Sequence, residues 1–188
     1  VLVAMCYEAG ITVTSLPGPV ACITALTLSG LNTRRFCFEG FLPADKKERL
    51  QVLEDLKNEK RTILLYEAPH HLKKTLAVLY EVLGERRITI CRELTKKFET
   101  VMPTTLSDAV TYYESNEPRG EYVLVLEGRS VQEIEAEKQK TFEEMSIEDH
   151  VEMYEKQGFD HKEAMKKAAK DRGITKRDIY QYLLNVKK

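Results

Sequence analysis

Residues 62–84, TILLYEAPHHLKKTLAVLYEVLG, place a short apolar strand directly before an amphipathic helix. Such a strand is typical of a sheet that is covered on both faces. Pro69 favours the first helical turn, and Gly84 is a typical helix terminator. The apolar positions of the helix recur at helical spacing, and they are Leu72, Leu76, Leu79 and Leu83. This strand and helix predict an α/β fold in which the helix packs on the sheet.

The same alternation of patterns extends in both directions along the chain. Strand patterns cover 11–16, 35–38, 87–91, 100–104 and 122–126, and helix patterns cover 21–29, 46–58 and 106–115. In the segment 46–58 the spacing turns Leu50, Leu53 and Leu56 inward. The link from Cys91 to Thr100 is too short for a helical crossover, so part of the pairing is expected to be antiparallel. We therefore predict a mixed sheet flanked by helices.

After Gly128 the composition becomes that of a small all-helical module. The segment 131–144 is polar and reads as a solvated helix or a linker, and three short helical patterns follow it, the last two forming a helix-turn-helix-like end. Residues 129–160 hold 4 basic and 10 acidic residues, whereas 161–188 hold 9 basic and 3 acidic residues. Either the two charged faces attract one another, or a set of cations contacts nucleic-acid phosphates. That set is Lys162, Lys166, Lys167, Lys170, Lys176 and Arg177.

Composition excludes several classes of protein. The chain has 188 residues, a net charge of -1, 43% hydrophobic and 31% charged residues, which is typical of a soluble globular protein. No apolar run approaches the ~20 residues of a membrane span. Four scattered cysteines without a CxxC pair favour neither zinc nor disulfides, and they fit a reducing cytoplasm. The first residues, from Val1, read as the end of a helix, which indicates a fragment of a longer protein.

Three predicted connections carry residues that suit ligand binding. The turn Pro17-Gly18-Pro19-Val20-Ala21 lets a ligand approach the main chain, unless it is an ordinary turn between a strand and a helix. His70 and His71 begin a helix after Tyr66-Glu67. A histidine at a helix start can stack on a base, bind phosphate or simply be solvated. We do not expect a metal site at this pair. Residues 92–97 group one carboxylate with three cations, which is most often a surface cluster. Residue chemistry alone thus predicts a ligand-binding domain and names no reaction.

Five stretches occur together in a family's order and spacing: Leu16-Pro17-Gly18-Pro19, Phe38-Glu39-Gly40-Phe41-Leu42-Pro43, Tyr66-Glu67-Ala68-Pro69-His70, Arg92-Glu93-Leu94-Thr95-Lys96 and Pro118-Arg119-Gly120-Glu121-Tyr122. In these stretches the chain resembles the bacterial 16S ribosomal RNA 2′-O-ribose methyltransferases of the tetrapyrrole methylase superfamily. The resemblance implies a cytoplasmic, homodimeric enzyme that uses S-adenosylmethionine to methylate a cytidine ribose of the small ribosomal subunit.

The resemblance also implies a domain organisation. Residues 1–30 correspond to the end of an N-terminal cofactor-binding lobe, 31–128 to the C-terminal α/β lobe, 129–145 to a linker and 146–188 to the helical module. Family members carry a further Gly-rich lobe, so the chain alone is expected to be inactive. Val20 stands where the family usually has Ser, and Thr24 can supply the missing hydroxyl. His71 stands where the family usually has Arg, and it supplies a cation only when it is protonated.

Site residues follow from the resemblance position by position. The cofactor would contact Pro17, Gly18, Pro19, Val20, Ala21, Tyr66, Glu67, Glu93, Leu94, Gly120 and Glu121. The RNA would contact Arg34, Arg35, His70, His71, Lys96, Lys97, Lys166, Lys167 and Lys170. The 2′-hydroxyl must lose a proton, and Glu93 and Glu67 are the candidate bases.

Two other functions stay open at this point. A tetrapyrrole methyltransferase would act on a small macrocycle, for which the basic helical tail would be unnecessary. A non-catalytic module could keep the fold and only bind RNA, and the sequence upstream of Val1 would discriminate that case.

Overall fold

The computed structural model describes residues 2–186, with only the backbone of Val186. Val1, Lys187 and Lys188, which the sequence analysis assigned to the two ends of the domain organisation, lie outside the described residues. The chain forms two compact units, divided between Gly128 and Arg129. Among the described residues, no helix has both the length and the hydrophobicity that crossing a bilayer requires.

The first unit contains a five-stranded sheet, as predicted. Its strands are β1 (Phe36–Phe41), β2 (Thr62–Glu67), β3 (Arg87–Arg92), β4 (Thr100–Thr105) and β5 (Tyr122–Leu126). Their order across the sheet is β1-β2-β5-β3-β4. β1 and β2 are parallel, whereas β5 pairs antiparallel with both β2 and β3, and β4 pairs antiparallel with β3. The predicted mixed sheet and the antiparallel pair that follows the short link are therefore confirmed.

Five helices accompany this sheet: α1 (Leu2–Glu8), α2 (Ala21–Leu28), α3 (Lys46–Leu56), α4 (Pro69–Leu83) and α5 (Leu106–Ser115). Helices α3, α4 and α5 cover one face and share its core with alternate residues of the strands, whereas α2 covers part of the other face. All five residues of β5 are buried, which fits its central position. The four leucines that the spacing turned inward on α4 are buried as predicted.

Two local predictions for this unit are wrong. Residues 11–16 form no strand, because the alternating pattern of a strand has no effect unless a neighbouring strand pairs with its backbone, and none does so among the described residues. Leu50 is 44% exposed, whereas Leu53 and Leu56 are buried. Leu50 and Leu53 differ by three positions and about 60° around the helix axis, so a narrow core contact covers only one of them.

The second unit consists of α6 (Val131–Glu144), α7 (Ile147–Lys156), α8 (His161–Asp171) and α9 (Lys176–Val186). The segment that read as a helix or a linker is the helix α6. Ser130, Ser146 and Asp160 begin α6, α7 and α8, and each side chain accepts a hydrogen bond from a first-turn N–H. The core of the unit consists of buried apolar residues from α7, α8 and α9, namely Val151, Ala164, Met165, Ala168, Ala169 and Ile179.

A histidine is buried in this second unit. His150 of α7 is fully buried and stacks on Phe142, with ring centroids 4.2 Å apart, and on Tyr154 at 5.6 Å. Its Nδ1 accepts a hydrogen bond from Arg172 Nε at 3.0 Å, and its Nε2 lies 3.4 Å from the Asp171 carboxylate. Burial and the neighbouring Arg172 lower the pKa of His150, against an opposing effect of Asp171. A neutral imidazole therefore connects α6, α7 and α8.

Candidate functional site

A cleft of about 540 Å³ opens where β2 and β3 end and β5 begins. This volume lies within the range of small-molecule sites. The cleft brings together residues that are far apart in the chain because the antiparallel register of β5 places Tyr122 opposite both Glu67 and Arg92. Six of the residues predicted to contact the cofactor line it, namely Ala21, Tyr66, Glu67, Glu93, Leu94 and Glu121.

The loop after β3 forms one rim of this cleft and has an unusual backbone. Glu93 and Thr95 have positive φ angles of 50° and 65°. The Glu93 N–H donates to the Glu121 carbonyl at 3.0 Å, and Glu93 Oε1 accepts from the Glu121 N–H at 2.9 Å. These two bonds join the loop after β3 to the residue before β5. Left-handed conformations cost energy in non-glycine residues, so the second bond helps to hold a strained turn.

Gly120 makes this link possible. Its φ is +80°, and a Cβ atom at this position would lie 2.6 Å from Glu93 Cγ and Oε1. Only glycine combines that backbone angle with such a close approach of a neighbouring side chain. The predicted site residue Gly120 therefore shapes the rim through Glu93.

A lysine completes the rim. Lys96 Nζ lies 2.9 Å from Glu121 Oε2 and 3.2 Å from Glu93 Oε1. The backbone hydrogen bond from Glu121, together with Lys96, holds the pKa of Glu93 below its ordinary value. A carboxylate stabilised as the anion is a weaker proton acceptor, so the structure disfavours Glu93 as a general base.

Glu67 is also committed to structure. It is buried, and its two oxygens accept hydrogen bonds from the Ala68 N–H at 2.8 Å and from the Thr75 hydroxyl at 2.5 Å. These contacts fix the junction of β2 and α4. With both oxygens engaged inside the protein, the geometry disfavours Glu67 as a base as well.

The walls of the cleft are largely apolar. The Tyr66 ring packs against Phe38 and Phe41, with centroids 4.9 and 5.6 Å apart. Burial raises the pKa of the Cys91 thiol to about 11, so this lining residue is protonated and uncharged at neutral pH. Phe41, Cys91 and Val123 line the cleft, although they were not named as site residues. For Phe41 a signal was present, because it lies within one of the five stretches that carry the family resemblance.

The turn before α2, which was predicted to contact the cofactor, lies mostly outside the lining of the cleft. Pro17, Gly18, Pro19 and Val20 are exposed, and only Ala21 reaches the cleft. The φ angle of Gly18 is not positive, and an added Cβ there would meet nothing within 4 Å, so the turn does not require glycine at this position. The contact of residues 17–20 with a cofactor stays a prediction.

The predicted RNA contacts fall into four groups of exposed side chains. Arg34 and Arg35 precede β1, and His70 and His71 begin α4 with ring centroids 4.1 Å apart. Lys96 belongs to the rim of the cleft, and Lys97 lies over the Phe98 ring at 5.6 Å. Lys166, Lys167 and Lys170 lie on α8, where Lys167 lies 4.3 Å from the Phe159 ring centroid. Within residues 2–186, no cluster of three His, Cys, Asp or Glu side chains could hold a metal ion.

Comparisons with known proteins match the chain to a family model, to named relatives and to a solved structure. A family model described as Tetrapyrrole (Corrin/Porphyrin) Methylases matches residues 2–110. A protein of Bacillus subtilis named Ribosomal RNA small subunit methyltransferase I is 45% identical over 168 residues, which cover 89% of this chain and 57% of that protein. A protein of the same name from Escherichia coli O157:H7 is 39% identical over 188 residues, covering 97% of this chain and 62% of that protein. The solved structure of a cobalt precorrin-4 methyltransferase aligns with a TM-score of 0.49 at 17% identity, over 66% of this chain and 56% of that one. The chain thus spans about three-fifths of the length of the named ribosomal RNA methyltransferases.

Proposed function

This chain belongs to the tetrapyrrole (corrin/porphyrin) methylase family, and from that premise we propose that it is part of an S-adenosylmethionine-dependent methyltransferase of small-subunit ribosomal RNA. The observation that carries the proposal is the 39–45% identity to proteins of that name, together with a cleft at the strand ends where four of the five stretches that carry the resemblance meet. The proposed reaction transfers a methyl group to the 2′-oxygen of a cytidine ribose.

The residues of the cleft fit this cofactor. S-adenosylmethionine combines an apolar purine with a zwitterionic amino acid. Tyr66, Leu94 and Val123 offer apolar surface for the purine, and the rim of Glu93, Lys96 and Glu121 offers both signs of charge. When bound, the cofactor supplies an electrophilic methyl group on a sulfonium. The chain's own part is to bind, to orient and to exclude water.

Neither of the two candidate carboxylates is well placed to accept the proton of the 2′-hydroxyl. Glu67 and Glu93 are both held by internal hydrogen bonds. We therefore propose that these carboxylates position the rim and the β2–α4 junction, and that catalysis by this half of the site is mainly a matter of alignment.

The helical module supports RNA over a small macrocycle as the substrate. Among the residues that the structure describes, His161 at the start of α8 contacts Glu155 of α7, but no lysine of α8 has a carboxylate of α6 or α7 within 4.0 Å, so these lysines are available to a polyanion. Lys162, Lys166 and Lys170 recur every four residues along one helix. Such a stripe suits phosphates spaced along a backbone. We further propose a cytoplasmic homodimer, and that the chain by itself is inactive.

The test is methyl transfer from S-adenosylmethionine labelled in its methyl group. The complete protein, with the segment upstream of Val1, is expected to label small subunits taken from cells that lack it, and nuclease mapping should place the label on a ribose 2′-oxygen. This chain alone should label them weakly or not at all. Transfer to a tetrapyrrole macrocycle instead of RNA would establish the alternative function, and RNA binding without transfer by the complete protein would indicate a non-catalytic module.

A further inference from the structure

A second cavity, of about 370 Å³, lies directly beside the cleft. The two share Phe41, Glu67 and Ala68 as a common wall. The second cavity is formed by the loop after β1, the start of α3 and the first two turns of α4. We call it the cationic pocket, because four basic side chains line it: Lys46, Arg49, His71 and Lys74.

The charge of the cationic pocket is not neutralised from within. Of the described residues that line it, Glu67 alone is acidic, and both oxygens of Glu67 are already bonded to Ala68 and Thr75. Among the described residues, Lys46, Arg49 and Lys74 have no carboxylate within 4.0 Å, although other lysines and arginines of the same unit are paired. Like charges gathered on a concave surface raise the local potential and attract an anion.

The pocket is also held in shape. Arg49 Nη1 donates to the carbonyls of Pro43 and Ala44 at 3.2 and 3.1 Å, which fastens the loop to α3. Asp45 caps α3 by accepting from the N–H groups of Lys47 and Glu48, so its carboxylate is directed to the helix start. Arg49 thus builds one wall, and Lys46 and Lys74 contribute further cations from two helices.

From this arrangement we infer that the cationic pocket is a phosphate subsite, which holds the phosphodiester next to the ribose that is methylated in the adjoining cleft. The inference rests on the proposed function. In RNA the carbon that bears the 2′-hydroxyl is bonded to the carbon that bears the 3′-phosphate, so an enzyme acting on the 2′-oxygen must accommodate a phosphate close to its reaction centre. A cationic cavity that shares a wall with the cleft meets this need, and phosphate contacts fix register without reading sequence.

The inference is testable with a fluorescent single-stranded RNA of about 12 nucleotides, a length typical of single-strand binding sites. The double variant Lys46→Glu/Lys74→Glu of the 188-residue chain should bind this RNA at least ten times more weakly than the unchanged parent chain does. The slope of log affinity against log salt should fall by roughly one to two, as expected for the loss of two phosphate contacts. The matched control is Lys47→Glu/Lys73→Glu, which makes the same charge change at the neighbouring positions of α3 and α4, but neither lysine lines the pocket. Melting curves must show that all variants fold.

A double-mutant cycle separates a local contact from general electrostatics. One phosphodiester at a time in the RNA is replaced by an uncharged methylphosphonate. At one position this replacement should weaken binding to the parent chain about tenfold and leave binding to Lys46→Glu/Lys74→Glu nearly unchanged.

The possible failures are distinguishable. If the parent chain binds RNA and no phosphate position couples to Lys46 and Lys74, the subsite is wrong while the proposed function stands. If coupling is found but the complete protein transfers no methyl group to RNA, the proposed reaction fails and the subsite remains as an RNA contact. If the parent chain binds no RNA at all, the subsite is overturned, whereas the proposed function is decided separately by methyl transfer with the complete protein.

Discussion

The two units of this chain place their constrained polar side chains in opposite positions. In the α/β unit, Glu67 and Glu93 lie at the ends of strands, where their hydrogen bonds shape the margin of an open cleft. In the helical module, His150 lies in the middle of the unit, stacked between two aromatic rings and bonded to Arg172.

The difference follows from how each kind of element satisfies its backbone. Strands that stop along one edge of a sheet leave N–H and C=O groups for loops and ligands to bind, so a cleft forms there. Helices satisfy their backbone internally, so a helical module packs without such an edge and presents its outer surface to partners. We therefore expect substitutions in the α/β unit to affect ligand binding and stability together, and those on the module's surface to affect RNA binding alone.

The largest effect is expected from Gly120→Ala. The left-handed angle costs a non-glycine residue roughly 1–2 kcal/mol, and displacement of Glu93 adds roughly 1–3 kcal/mol. Urea unfolding should show a lower free energy of unfolding, by the sum of these two contributions. The affinity for S-adenosylhomocysteine should fall as well.

The matched control for this substitution is Gly30→Ala. Gly30 has a φ of +70°, but an added Cβ there would meet nothing within 4 Å. The Gly30→Ala variant should lose only the contribution of the backbone angle to the free energy of unfolding, roughly 1–2 kcal/mol. Equal losses at the two positions would mean that the contact of Gly120 with Glu93 is unimportant.

A smaller loss is expected from Glu67→Gln. The amide oxygen can accept one of the two hydrogen bonds, but the amide NH2 group donates and cannot accept the other. Loss of a buried charge-assisted bond costs about 1–3 kcal/mol. Glu121→Gln, at an exposed position of the same cleft, should change the free energy of unfolding by less than about 0.5 kcal/mol. If Glu67→Gln left stability unchanged but abolished methyl transfer in the complete protein, Glu67 would be the base after all.

The buried histidine should make the stability of the module depend on pH. The pKa of His150 is lowered in the folded state, so the unfolded chain, whose histidine has a pKa of about 6.5, takes up the proton first. The stability that the neutral ring contributes is present above pH 6.5 and is lost as the pH falls below it, towards the lowered pKa of the folded state. NMR signals of α7 and α8, followed during heating, should disappear at lower temperature at pH 5.5 than at pH 7.5.

Two variants check the assignment of this pH dependence. His150→Phe keeps an aromatic ring between Phe142 and Tyr154 but cannot titrate, so the difference between the two pH values should shrink. His161→Gln, at the exposed histidine of α8, should keep the difference. If His161→Gln removed it instead, the buried ring would not be its source.

The smallest effect should come from the surface of the module. Lys166→Glu/Lys170→Glu is expected to weaken small-subunit binding by the complete protein several-fold and to reduce its salt slope by roughly one to two, without changing the melting temperature. The control is Lys138→Glu on α6, which is also exposed. An unchanged salt slope would mean that α8 is merely a solvated face.

Several features of the fold could be predicted because local chemistry dictates them. Pro69 and Gly84 bound α4, and its leucines lie at helical spacing, so the helix and its buried face follow from short-range rules. Ser146 and Asp160 cap their helices for the same reason. Residues 11–16, by contrast, form no strand, since an alternating pattern forms one only where a neighbouring strand pairs with its backbone.

The sequence by itself determined the alternation of strands and helices, the family, and the segments in which site residues would be found, because periodicity, helix caps and motif spacing act over a few residues. Only the tertiary structure decided which charges meet. The register of β5 against β2 and β3 brings Glu121 to Glu93 and Lys96, which are more than 20 positions away. The packing of α3 and α4 likewise gathers four basic residues around one cavity, although β2 separates the two helices in the chain. These residues are Lys46, Arg49, His71 and Lys74. Side-chain distances across a sheet depend on the pairing order of its strands, and no local pattern encodes that order.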